Sequence, residues 1–282
     1  MPIRRQAKLA LARCKGACYG LFRDRQQILF TPNAGWELIL RQSIDHRRYA
    51  IRFVQLDANH AVAGAVLIPL TLDGALAAAQ PATTPRCAVS VTPTADLIRL
   101  CDDKVAFNER LRHGGYASWL PGDAGPSSPW TFPFIVKPRR GEWGRDIVIV
   151  RDSRDAEQDD AEWRRVENGF AQEYVPGGCE YTTHFLMRAG TMVFAKTLEF
   201  TFERTFYVKG VQDQSFTTRQ VAEPHLPQLA DVLRFLNYDG VGCFNYKIRD
   251  GQLVIFELNP RFGASLCPFI NEFLDACLPS PG

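Results

Sequence analysis

The sequence predicts an α/β protein whose C-terminal part turns α+β. Three observations carry that prediction. Between residues 27 and 91 short apolar runs alternate with helical stretches; beyond residue 93 strands dominate and helices are few; and a late strand, "VIFELNPRFG" (254–263), ends on polar side chains that a buried strand does not need.

From the N-terminus, "ILF" (28–30) reads as a strand, "TPNAG" (31–35) as a loop, "WELILRQSIDHRR" (36–48) as a helix and "YAIRFV" (49–54) as the next strand. "GAVLIPL" (64–70) begins another such cycle, which closes with "CAVSV" (87–91). Strand, helix and strand in succession imply a parallel sheet flanked by helices. The series is short for a complete dinucleotide-binding domain and lacks G-x-G-x-x-G after its first strand. "TPTADLIRLCDDKVAFNERLRHGGY" (92–116) reads as one helix, opened by a Thr or Asp cap and closed by Gly114 and Gly115. A domain boundary is expected just before it, near residue 93. "PGDAGPSSP" (121–129) reads as a loop, followed by strands "FPFIVKP", "DIVIV", "FAQEYV", "EYTTHFLM" and "TMVFAKTLEF", a charged helix over 155–167 and another helix over 224–236.

The last hairpin, "GCFNYKIRDGQLVIFELNPR" (242–261), can be solved for register. A three-residue "RDG" loop with Gly251 left-handed puts Phe244, Tyr246 and Ile248 on one face with Val254, Phe256 and Leu258. Asn245, Lys247, Glu257 and Asn259 then share the other face, with Arg261 beyond it. A two-residue "DG" loop would instead set Phe244 against Glu257 and mix apolar with polar. The segregated face is rich in oxygen donors and suits a magnesium ion and the phosphates it bridges. "FIVKPRRGEWGRDIVIV" (134–150) brings Lys137, Arg139, Arg140, Gly141, Gly144 and Arg145 into one turn, where glycines admit an anion close to backbone N–H groups and basic side chains balance its charge. In "AQEYVPGGCEY" (171–181), backbone at Gln172 and Val175 could bond an adenine edge, and Glu180 could accept from ribose hydroxyls.

In this order the segments resemble the ATP-grasp superfamily of carboxylate–amine ligases, which includes carbamoyl-phosphate-synthetase-like domains. The resemblance runs over roughly 93–270: "DDK" opening a helix, "VKP" with a Gly-rich hairpin, "EYVPG" followed by Glu, then "N-x-K" with "ELNPR". It implies a short Rossmann-like pre-ATP-grasp domain over 26–92 and an ATP-grasp domain over 93–282, preceded by the basic arm that the charges of residues 1–25 define. Within the last, a lid-bearing subdomain covers about 120–175 and a metal-binding subdomain about 176–282, the two clasping ATP with Mg²⁺ or Mn²⁺. Lys104 and Lys137 resemble the two phosphate-holding lysines, and the hairpin with Arg139, Gly141 and Gly144 resembles the lid. Gln172 or Glu173, with Val175, matches the adenine linker, and Glu180 matches the ribose acid. Asn245, Glu257 and Asn259 match metal ligands, Arg261 the catalytic arginine and Lys209 a basic residue that reaches the γ-phosphate. Asn245 stands where the family usually has an acid or Gln, which leaves one metal position or two.

The chemistry this resemblance implies is activation of a small-molecule carboxylate as an acylphosphate, with ADP released, for attack by an amine. The alternatives are a carboxyphosphate-forming enzyme and a nucleotide-binding regulatory module with little turnover. The sequence runs only shortly past "FGASLCPFINEFLDACLPS", so the acceptor side is expected to be open, or completed by a second copy or a partner protein.

Composition agrees with a folded enzyme of 282 residues, 46% hydrophobic and 23% charged, and a net charge of +2 is too small to argue for nucleic acid. The basic arm (Arg4, Arg5, Lys8, Arg13, Lys15, Arg23 and Arg25 against Asp24) reads as solvated. With no signal-peptide core and no apolar run of ~18 residues, a cytoplasmic chain without a membrane partner is expected. Its eight cysteines are then free thiols, and His113, His184 and His225 ordinary surface or core histidines.

Overall fold

A computed structural model describes residues 8–9, 25–56, 64–80, 89–124, 131–142, 144–158, 162–210 and 215–278. Nearly all of the basic arm, Cys14, Cys18 and Cys87 lie outside the described residues.

The first sheet is parallel, with strands β1 (Gln26–Phe30), β2 (Tyr49–Phe53), β3 (Val66–Ile68) and β4 (Val89–Ser90) in the order β2-β1-β3-β4. Helix α1 (Glu37–Ser43) and helix α2 (Leu72–Ala78) make the crossovers, α2 being capped by the Thr71 side chain on the Gly74 N–H at 3.0 Å. The near-continuous apolar strands are those of a sheet covered on both faces. Ile28, Phe30, Val66 and Ile68 pack in one core with Leu186, Val241, Phe262 and Phe273 from the far half of the sequence.

The stretch 92–116 forms two helices rather than the expected one: α3 (Ala95–Asp102) and α4 (Lys104–His113). The break is at Asp103, whose backbone leaves the helical region (φ −83°, ψ 93°). Its carboxylate accepts from the Ala106 N–H at 3.0 Å and from the Arg139 guanidinium at 2.6 and 2.7 Å, so a cap and an ion pair replace the continuous ladder. Thr94 caps α3, and Gly115 closes α4 with φ +87°.

A second sheet, β6 (Val148–Val150), β5 (Phe134–Pro138) and β7 (Gly169–Glu173) in that order, is antiparallel. Strand alternation turns Phe134 and Val136 into a small core with Val150, and Ile135 and Lys137 to the opposite face. The charged helix expected over 155–167 is instead a short helix α5 (Ser153–Glu157) and a 3-10 turn (Glu162–Arg165). Capping by Asp152 moves the start of α5 upstream of 155.

The third sheet is antiparallel, in the order β10 (Phe216–Val221), β9 (Thr191–Phe202), β8 (Cys179–Arg188), β11 (Gly240–Arg249) and β12 (Gln252–Asn259). Helix α6 (Leu226–Phe235) joins α3 and α4 in covering one face, where Phe107, Leu111, Leu229 and Leu233 meet Phe185, Phe244, Tyr246 and Ile255. Helix α7 (Ile270–Cys277) packs toward the first sheet. The exposed strand β10 carries no alternation that a sequence reading could use, its residues being almost all solvent-facing.

The last hairpin corrects the expected loop. Asp250 and Gly251 both have positive φ (51° and 76°), and Arg249 pairs with Gln252, so the turn has two residues and not three. The mixing of faces that this register threatens is removed by a β-bulge between Asn245 and Tyr246, with Phe256 as the extra residue. Beyond the bulge Asn245 stands opposite Glu257 and Phe244 opposite Leu258. The apolar face is therefore Phe244, Tyr246 and Ile248 with Leu253, Ile255 and Leu258; Val254 and Phe256, expected there, are not part of it.

Cys101, Cys179, Cys243, Cys267 and Cys277 are free thiols. Among the described residues no helix is long and apolar enough to cross a membrane.

Candidate functional site

Part of the face of the third sheet opposite α3, α4 and α6, together with the outward face of the second sheet, lines a cleft. Sequence periodicity explains its lining. Ile135 and Lys137 on β5 and Asn245 and Lys247 on β11 are alternate residues whose neighbours fill the cores, and Glu180 on β8 and Glu257 on β12 join them. Lys104, Gly141, Gly144, Glu173, Val175 and Lys209 also line it.

Glu257 is the hub. Its Oε1 accepts from the Asn245 amide at 2.7 Å and the Asn259 amide at 2.9 Å, while Oε2 lies 4.0 Å from Lys104 Nζ. Burial pushes the Glu257 carboxyl up, but Lys104, the two amides and Lys137 together outweigh it, and the group is held below the ordinary carboxylate range. Lys137, 8% exposed, donates to Gln172 Oε1 at 3.2 Å and lies 5.2 Å from the centre of the Phe256 ring. Burial lowers it to about 8, against the opposing pull of Glu257. Lys104, buried at the start of α4, donates to the Gly141 carbonyl at 2.8 Å and so ties the Gly-rich hairpin to the body.

Lys209 is fixed by oxygens: it donates to Thr182 Oγ1 and to Asn245 Oδ1 at 3.0 Å, and pairs with Glu180 at 3.1 Å. The Phe200 ring lies 4.2 Å from its ammonium. Arg261, 6% exposed, donates to Glu142 of the hairpin at 2.7 Å and to the Phe262 carbonyl at 3.2 Å, with the Trp36 ring 5.8 Å away. Lys247 donates to the carbonyls of Val175 and Gly177, both at 2.8 Å, and burial lowers it to about 8.

The sequence-expected residues are not all gathered equally. Arg139 turns out of the cleft to Asp103, and the buried Gln172 reaches Lys137 without lining the cleft. Glu173 lines it but also binds the Gly122 N–H at 3.1 Å and the Arg249 guanidinium. Sequence reasoning gave no role to Thr182, Glu142 or Phe256. Thr182 is two residues past Glu180 on the same strand face, which is a usable signal; Phe256 reaches the cleft through the bulge, which no local pattern announces. His184 is buried, bonds Ser265 Oγ at 2.8 Å and is lowered to about 3, first by burial and then by Lys209 and Arg261, which fits the expectation of a core histidine.

The donor set suits one divalent cation. Glu257 is an ionised carboxylate, and Asn259, two residues on along the same strand face, adds an amide oxygen while its nitrogen donates to Glu257. Among the described residues no group of three or more His, Cys, Asp or Glu side chains could hold a metal unaided. One carboxylate and an amide oxygen completed by phosphates is a usual magnesium environment.

Comparison with known proteins bears on the family and the fold. The model of the ATP-grasp domain family matches residues 101–265, more than half of the chain. The fold is similar to that of D-alanine–D-alanine ligase from Bacillus anthracis (13% identity, TM-score 0.57, covering 89% of this chain and 92% of that one). It is similar also to VanG D-Ala:D-Ser ligase from Enterococcus faecalis (12%, TM-score 0.58, 84% and 90%) and to L-amino acid ligase from Bacillus licheniformis (15%, TM-score 0.55, 88% and 69%). A search of curated proteins returns no match. The chain belongs to the ATP-grasp family.

Proposed function

We propose that this protein is an ATP-dependent ligase that activates a small-molecule carboxylate as an acylphosphate and joins it to an amine. The observation that carries the reading is the cleft itself: an ionised, half-buried Glu257 beside Asn259, faced by Lys104 and Lys137, with an apolar and acidic recess at the other end. ATP fits this division of chemistry. Ile135, Val175 and Phe256 offer apolar surface for a base, Gln172 or Glu173 and Val175 backbone for its edge, and Glu180 an acceptor for ribose hydroxyls. Lys104, Lys137 and the hairpin with Gly141 and Gly144 take the phosphates, with Arg139 free to swing from Asp103 as the lid closes. Glu257 and Asn259 would hold Mg²⁺, or Mn²⁺, which when bound offsets phosphate charge.

A substrate carboxylate oxygen attacks the γ-phosphorus, the bond to the β,γ-bridging oxygen breaks, and ADP leaves. Lys137 and Lys209 offset charge on the transferred group. The amine then attacks the acyl carbon, phosphate leaves and the amine's proton is released. Arg261, anchored on the Phe262 carbonyl, steadies the oxyanion once Glu142 lets go. The residues carry the rate by placement and charge, with no protein nucleophile. The division into arm (1–25), pre-ATP-grasp domain (26–92) and ATP-grasp domain (93–282) is part of the same proposal, the parallel sheet being the natural wall for the carboxylate substrate.

The test is an ADP-release screen over pairs of amino acids and related carboxylates and amines, with Glu257→Gln as blank. Release that needs both partners supports the reading; AMP and pyrophosphate as products overturn it. Bicarbonate-dependent release would indicate the carboxyphosphate-forming alternative. The engagement of Arg261 by Glu142 favours a second reading, a nucleotide-binding module with little turnover, which predicts tight ATP binding without ADP from any pair.

A further inference from the structure

Asn245 and Lys209 form an arrangement whose hydrogen-bond polarity is forced. Lysine can only donate and an ionised carboxylate can only accept. The Asn245 amide lies between one of each, with Oδ1 toward Lys209 at 3.0 Å and Nδ2 toward Glu257 at 2.7 Å, so its orientation follows from its neighbours. Oδ1 also accepts from Thr182 Oγ1 at 2.7 Å, which engages both of its lone pairs. The Lys209 ammonium meets three oxygens: it donates to Thr182 Oγ1 and Asn245 Oδ1 and forms an ion pair with Glu180 at 3.1 Å.

A positive charge is therefore already built into the face beside Glu257, held by oxygens as a cation would be. The strand register adds a second argument. Asn245 and Glu257 are direct cross-strand partners. A carboxylate at 245 would set like charges opposite each other, an arrangement that needs a cation between them. The Asn245 N–H bridges that gap instead.

We propose that Lys209, held by Asn245, Thr182 and Glu180, takes the place of a second divalent cation, so that the nucleotide-bound protein holds a single metal ion, on Glu257 and Asn259. Asn245 is then a positioning residue for Lys209 and not a metal ligand. This rests on the nucleotide-binding reading above and narrows it.

The experiment counts Mn²⁺ directly. The full chain, saturated with β,γ-methylene-ATP, is titrated with Mn²⁺ and free ion is read by electron paramagnetic resonance. One ion per complex is expected, and Asn245→Asp should raise the count to two by restoring the facing carboxylates. Lys209→Met, which vacates three oxygens, should also admit a second ion, and it decides the matter if the Asp variant does not fold. Two ions in the unaltered protein, or a count that stays at one in a folded, nucleotide-binding variant, overturns the proposal while leaving the ligase reading in place. Failure of the unaltered protein to bind the nucleotide overturns both.

Discussion

Lys137 shows how a single buried side chain sets two opposite pH dependences. Its value of about 8 lies below the ordinary 10.5 because burial disfavours its charge. Between those values the unfolded chain binds more protons than the folded one, so the destabilisation from this group is complete below about pH 8 and fades as pH rises toward 10.5. Nucleotide binding has the reverse sign, since phosphates favour the ammonium. The dissociation constant for ADP should climb above pH 8, by up to about tenfold per pH unit, and calorimetry in buffers of different ionisation enthalpy should show proton uptake. Lys137→Met should weaken binding and abolish that uptake. Arg261→Met should lower kcat by about a hundredfold or more with nucleotide affinity nearly kept, if its role is the proposed one at the oxyanion and not at the phosphates. Steady-state kinetics beside ADP calorimetry separates the two effects.

At the scale of elements, the hairpin of β11 and β12 shows what could be read in the sequence and what could not. The alternation of Asn245, Lys247, Glu257 and Asn259 with apolar residues announced a polar face, and that face exists. The route to it was not legible. "RDG" admits loops of two or three residues, and the choice depends on whether a bulge downstream restores the phase, which is a tertiary matter. The split of α3 from α4 was hidden for a similar reason, since Asp103 breaks the helix together with Arg139, distant in sequence. Strand β10 carried no amphipathic signal at all. The entry of β11 offers a test of packing at this scale. Gly240 has φ +117°, and a Cβ there would come within 2.7 Å of the Val91 carbonyl and 2.8 Å of Pro93 N. Gly240→Ala should therefore cost about 1–3 kcal/mol, read as a lowered denaturation midpoint with an unchanged m-value.

For the whole molecule, the three sheets divide the work: a closed apolar sandwich of the third sheet with α3, α4 and α6 fixes the polar face, and the small second sheet stands over it on the Gly-rich hairpin. Many of the contacts between the second sheet and the rest are polar, among them Lys104 to Gly141, Arg261 to Glu142, Arg139 to Asp103, Arg249 to Glu173 and Lys247 to the linker carbonyls. Such a joint opens and closes more readily than an apolar one. Mg²⁺ and ADP should raise the thermal midpoint, since binding at a hundredfold excess over the dissociation constant stabilises the folded protein by about 2.7 kcal/mol. Glu257→Gln should remove most of that metal-dependent part in differential scanning fluorimetry. The most direct measurement of the central claim uses ¹⁸O-labelled carboxylate in the carboxylate–amine pair that releases most ADP, with phosphate read by ³¹P nuclear magnetic resonance. Activation as an acylphosphate predicts one ¹⁸O carried into each phosphate released; unlabelled phosphate, or AMP in place of ADP, would contradict it.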